Sequence, residues 1–157
     1  MDVRELIRSL EGNSRQYQQV LQHVPRTPGP ALSGIENAQL REIIGVLTDI
    51  QEEVIEYRLK KILKEEHPYI PTIKVEKIKQ NDHHQHLPLS QLVDVFLAQR
   101  RALLQLLQAT PTATWSRTGV HESEGHISFQ EIIRRMTEKD RQVLANLNRL
   151  LLQIEST

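Results

Sequence analysis

His83, His84 and His86 put three imidazoles within four residues, the densest group of histidines in the chain. Neutral imidazole is a common ligand for zinc and nickel, so the cluster raises the question of a metal centre. It stands in a polar, irregular stretch, Asn81-Asp82-His83-His84-Gln85-His86. Loop histidines converge on one ion only when a surrounding shell orients them, and a polar loop ahead of a helix is the preferred reading. His121 lies in a second loop, where hydrogen bonding to loop backbone is favoured over acid–base work. Asp140 is the third candidate. It interrupts an apolar stripe made of Phe129, Ile132, Ile133, Met136, Val143, Leu147, Leu150 and Ile154. A carboxylate facing a core needs a partner. Arg100, between Phe96 and Leu103 on another stripe, is the first choice and Lys139 the second. Such a pair is either the polar floor of a ligand cavity or an ion pair that sets helix register, and the second reading is preferred. The chain has no cysteine, which excludes disulfides, thiolate catalysis and cysteine-ligated zinc. It also has no Ser-His-Asp spacing, phosphate-cradling glycine loop or metalloprotease motif.

The elements that position these groups read as helices. Val3, Leu6, Ile7, Leu10, Tyr17, Val20, Leu21 and Val24 recur at helical spacing. They predict a first helix from about Asp2, its N-cap, to about His23. Gly12-Asn13-Ser14 admits a bend there, and Pro25, Pro28, Gly29 and Pro30 end the helix. A second helix runs from about Glu36 or Ala38 to about Glu66. Leu40, Ile43, Leu47, Ile50, Val54 and Tyr57 share one face, and Ile55, Leu59, Ile62 and Leu63 continue it at a drifted phase. A helix of ~30 residues would span ~45 Å. Residues 68–87 sustain no helical period and read as a crossover. The basic run at 74–79, interrupted by Glu76, reads as a solvated face. A third helix starts at Pro88 and runs to about Ala109, with Leu89, Leu92, Val93, Phe96, Leu103, Leu106 and Leu107 on its stripe. Residues 110–125 form a loop, in which Trp115 reads as a core or interface anchor. Ser128 and Glu131 have capping-box spacing at the start of the last helix. Strand-type alternation is absent. The expectation is one all-α domain over residues 1–157, a four-helix bundle with a long crossover between helices two and three.

Lys plus Arg and Asp plus Glu both count 20, so the net charge is zero and no global field recruits nucleic acid or a membrane surface. Aromatic residues make up 4% of the chain, too few for a base-stacking surface. No apolar run approaches the ~20 residues of a membrane span, and the opening Met-Asp-Val-Arg-Glu-Leu carries no apolar signal core. A cytoplasmic protein is the expectation.

The order of these features resembles the DinB/YfiT-like superfamily of small bacterial four-helix proteins. The stretch at 40–58, Leu40 to Arg58, is similar to the family's second helix, in which a histidine precedes an aspartate by three residues. Residues 82–100 end in Phe96-x-x-x-Arg100, like the family's third helix. Residues 115–125, with Gly119-Val120-His121 and Gly125, resemble its loop before helix four. Lys139-Asp140-Arg141-Gln142-Val143-Leu144 stands in the place of its His-Asp-x-x-His motif. The resemblance covers nearly the whole chain. It implies a divalent metal such as nickel or zinc on three histidines, hydrolase or thiol-dependent transferase chemistry, and a homodimer. The corresponding positions here are Val46, Lys139 and Val143. Valine has no lone pair and the lysine ammonium repels a metal, so these residues are not ligands, although Asp49 and Asp140 are retained. The resulting expectation is a DinB-like protein with no metal cofactor that binds a small molecule or a partner. Asp49, Arg100, His121 and Asp140 are its cavity or polar-core candidates. The alternative is a metal-dependent hydrolase or thiol-dependent transferase using a relocated site. A third reading is a structural protein whose cavity has collapsed. A sizeable cavity between helices two, three and four separates the first two readings from the third.

Overall fold

Helix α1, Val3–Leu21, starts where the Asp2 carboxylate accepts a hydrogen bond from the Glu5 amide at 2.8 Å, satisfying one of the orphan donors of the first turn. It passes Gly12 without a break. The ~1 kcal/mol weakness of a mid-helix glycine is offset by Asn13, which is buried and tied to another helix. The computed structural model describes residues 2–24, 34–74, 76–78, 84 and 87–155, with side chains at 38–153 of the later segments. Asp82, His83 and His86 and the side chain of Ile154 therefore lie outside the described residues.

Helix α2, Gly34–Val54, runs without interruption into a π-helical turn, Ile55–Leu59, and a last α-helical turn, α3, Lys60–Lys64. The amide of Lys60 reaches the carbonyl of Ile55, the five-residue step of a π turn. This wider turn accounts for the drift in apolar phase. Tyr57, expected on the buried face, is 61% exposed, and Arg58 takes the inward position. Helix α4 is Leu89–Ala109, with Pro88 as its N-cap. Helix α5 is Phe129–Glu155, and its Glu131 amide donates to the Ser128 hydroxyl at 3.0 Å. The Glu131 carboxylate turns to Arg134 and Arg135 instead of closing a capping box.

The chain is mostly helical, but a small sheet corrects the expectation of helices alone. Strand β1, Tyr69–Ile70, pairs in parallel with β2, Thr118–His121, and β2 pairs antiparallel with β3, Gly125–Ser128. Strands of two to four residues are too short for alternation to register as a period. Gly125, at φ +77, closes the hairpin turn. At Gly119 a Cβ would lie 2.3 Å from the Ile70 side chain and 2.9 Å from the Pro68 carbonyl. Only glycine lets β1 lie this close to β2. β1 and a single helical turn at 76–78 occupy the stretch read as an irregular crossover.

α1 packs on α4 and α5, and α2 packs on α4. Two apolar clusters result. One gathers Leu6, Leu10, Leu59, Ile62, Leu103, Trp115, Phe129 and Ile133 near the sheet. Trp115 meets Phe129 edge-to-face with centroids 5.2 Å apart. The other gathers Tyr17, Leu21, Leu40, Ile44, Leu92, Phe96, Leu147 and Leu151. Between them each long helix contributes a buried polar residue: Asn13 from α1, Gln51 from α2, Arg100 from α4 and Asp140 from α5. The fully buried line of α5 runs through Thr137, Asp140, Leu144, Leu147 and Leu151. Val143 and Leu150, expected on that line, are half-buried. On α2 the buried line passes through Ile44, Thr48 and Gln51, and the expected Ile43, Leu47 and Ile50 are half-buried. Leu47, Ile50 and Val143 face a space that packing leaves open.

Candidate functional site

That space is a cavity of about 330 Å³ between α2, α4 and α5, at the lower end of the roughly 300–1,000 Å³ of small-molecule sites. Leu47, Ile50, Gln51 and Val54 of α2 form one wall, with Arg58 from the π turn. Ile132, Arg135, Met136, Lys139, Asp140 and Val143 of α5 form the opposite one. Tyr17, Phe96 and Arg100 line it from α1 and α4, and His121 and Ile127 from the hairpin.

Asp140 and Arg100 form a polar floor. Two guanidinium nitrogens donate to the two carboxylate oxygens at 2.8 and 3.1 Å. Both residues are 4% exposed. Tyr17 Oη donates to Oδ1 at 3.1 Å and Asn13 Nδ2 to Oδ2 at 3.3 Å. The Arg100 guanidinium carbon lies 5.0 Å from the Tyr17 ring centroid and 5.5 Å from that of Phe96, within the range of cation–π attraction. Burial, followed by the Asp140 carboxylate, pushes the Tyr17 phenol above its ordinary range, with Arg100 opposing. Tyr17 therefore stays a hydrogen-bond donor, and the floor is an internally neutralised unit.

His121 is buried at the cavity edge. Its Nδ1 accepts from the amides of Ser123 and Glu124 at 3.2 and 3.3 Å. These bonds pin the hairpin turn and leave the proton of the neutral ring on Nε2. Gln51 donates to the Phe96 carbonyl and to Gln99, and its Oε1 is buried without a partner.

Asp49 is placed elsewhere. It is buried on a different side of α2, where Oδ1 meets Nδ1 of His84 and Oδ2 has no partner. Glu52 stands 3.8 Å from the same imidazole nitrogen. One ligand atom from each of Asp49, Glu52 and His84 lies within 4.8 Å of the others. Two carboxylates and an imidazole are chemically suited to a divalent cation.

The three positions matched to family metal ligands do not come together as a donor set. Lys139 and Val143, one helical turn apart, line the cavity, and Val46 is half-buried off its wall. Neither valine has a donor atom and Lys139 is an exposed cation, so a transition metal does not fit here. Asn13, Gln51, Arg58 and Arg135 were not among the candidates read from sequence. A polar residue at a stripe position, the signal that singled out Asp140, also marks Asn13 in α1 and Arg58 after Val54. Family models, curated proteins and solved structures give no match to this chain. Among the described residues, no helix is long and apolar enough to cross a membrane.

Proposed function

We propose that this chain is a DinB/YfiT-like four-helix protein, with its crossover between the second and third long helices, that lacks the metal triad and binds a small molecule. The observation that carries the reading is the cavity. Leu47, Ile50 and Val143 leave apolar surface facing a space open to solvent, an arrangement that costs burial and that a ligand with an apolar body would recover. An apolar wall over a charge-neutral polar floor, with Arg100 Nε and Gln51 Oε1 left without partners among the described residues, is the composition of a small-molecule site. The resemblance also brings a homodimer into this proposal.

The test is binding of a neutral apolar dye, Nile red, to the protein and to Ile50→Trp/Val143→Trp, in which two indoles occupy the space. Saturable fluorescence enhancement is expected for the parent and its loss in the double variant, with the helical circular dichroism signal kept. Dye binding equal in the two proteins would place the site outside the cavity and remove the proposal.

A second reading has its own support. The Asp49, Glu52 and His84 group, with a buried carboxylate oxygen lacking a partner, is where a relocated metal-dependent activity would sit. Stoichiometric zinc or nickel uptake abolished by Asp49→Asn would favour that hydrolase or transferase alternative. Uptake that is absent would count against it.

A further inference from the structure

We infer that the cavity takes a molecule with an apolar body and a single carboxylate, the carboxylate being held at the rim between Arg58 and Lys139. This rests on the small-molecule reading above and adds the chemical class.

The cavity wall carries three cations, Arg58, Arg135 and Lys139, and its one carboxylate, Asp140, is already saturated by Arg100, Tyr17 and Asn13. The floor therefore offers no free charge to a ligand. Arg135 is neutralised from outside by Glu124 and Glu131. Arg58 and Lys139 are different. Among the described residues neither has a carboxylate within ion-pair distance. Arg58 donates to the Pro71 carbonyl and is half-buried. Burial lowers the pKa of its guanidinium, with Glu53 partly offsetting.

Arg58 also borders a second, more polar pocket lined by Glu53 and Glu122, and its bond to the Pro71 carbonyl is exposed, so at the apolar cavity it is a cation with spare donors rather than a fully paired one. Guanidinium and carboxylate are matched for paired, charge-assisted hydrogen bonds, with an ammonium as second donor. The two cations stand on opposite walls, Arg58 on the π turn after α2 and Lys139 on α5. The His121 ring, whose Nδ1 is taken by backbone amides, offers Nε2 as a further donor at the same edge. Below the rim Leu47, Ile50, Val54, Met136 and Val143 present hydrocarbon, which suits an alkyl or aryl body and rejects a second charge. A polyanion of more than two charges would exceed the two cations available, and a phosphate dianion, though matched in charge, has no hydrocarbon body for the apolar wall below the rim.

The test is calorimetric titration of the full chain with octanoate, octanol and octylamine, each below its aggregation concentration. Octanoate should bind more tightly than octanol by roughly ten-fold or more, the worth of charge-assisted bonds to a carboxylate. Octylamine should bind least. Lys139 is exposed, so Lys139→Gln will fold. It and Arg58→Gln/Lys139→Gln should lose the octanoate preference stepwise, with octanol affinity changing far less than octanoate affinity. Octanol binding as well as octanoate, with both variants unchanged, would overturn the carboxylate assignment and leave the apolar cavity reading standing. No binding of any of the three, together with no Nile red binding, would overturn both.

Discussion

Asp140 is the most constrained side chain in the core. It accepts from Arg100 twice, from Tyr17 and from Asn13, so one carboxylate joins three helices. Truncating it leaves a buried guanidinium without its counter-ion. Asp140→Ala should lower the unfolding free energy by about 3 kcal/mol, measured by urea denaturation. Arg100→Leu should be similarly damaging, because the carboxylate then keeps only its two neutral donors. The double variant Asp140→Ala/Arg100→Leu should lose less than the two single losses added. Strict additivity would show that the two charges do not depend on each other. The need for this pair was legible in the sequence, since a carboxylate on a helix stripe must find a cation. The contribution of Asn13 was not, because Gly12-Asn13-Ser14 has the composition of a helix weakness, and only the approach of α5 turns Asn13 into a donor.

The start of α5 is built from charges. Glu131, in the first turn, meets Arg134 and Arg135, and Arg134 first, then Arg135, lowers its pKa from 4.5 to about 2. A depressed carboxylate pKa contributes stability that is whole above the unfolded value and is lost as pH falls through the folded one. The window therefore runs from about 4.5 down to about 2. Because the side chain is 31% exposed, screening holds the contribution to about 1 kcal/mol or less. Glu131→Gln should destabilise the protein by that amount at neutral pH, and the difference should shrink across the window as Glu131 in the parent takes up its proton. A constant difference would assign the effect to the helix N-terminus or to packing and not to ionisation. Along α2, the apolar phase pointed to a change of register near Val54. The π turn is the cause, and it exchanges Tyr57 for Arg58 at the cavity.

Across the whole molecule, the helices pack tightly in two apolar clusters and leave α2 and α5 apart at the polar layer. That arrangement holds open space which a better-packed protein would fill, so Ile50→Trp/Val143→Trp should raise stability by about 1 kcal/mol while it removes dye binding. A large fall in melting temperature would mean that the indoles clash and that the space is smaller than the geometry gives. The small sheet clamps one end. β1 from the crossover lies on the hairpin that carries His121, and the clamp depends on Gly119 having no side chain.

The sequence by itself determined the helical class, the Asp2 cap, the start of α4 at Pro88 and the pairing demand of Asp140, because each is set by residues within one or two turns of one another. It also shows that Val46 and Val143 have no donor atom to offer a metal, since that follows from their side-chain chemistry. Only the tertiary structure decided which half of each stripe is packed and which half faces open space. Leu47, Ile50 and Val143 have the same helical spacing as fully buried residues, and their exposure depends on how far a neighbouring helix stands away. The same holds for Arg58 and Lys139, which among the described residues have no carboxylate within ion-pair distance, and for Asp49, which meets His84 across 35 residues of chain. The strands were hidden for a related reason, since a two-residue strand is defined by its partner and not by its own period.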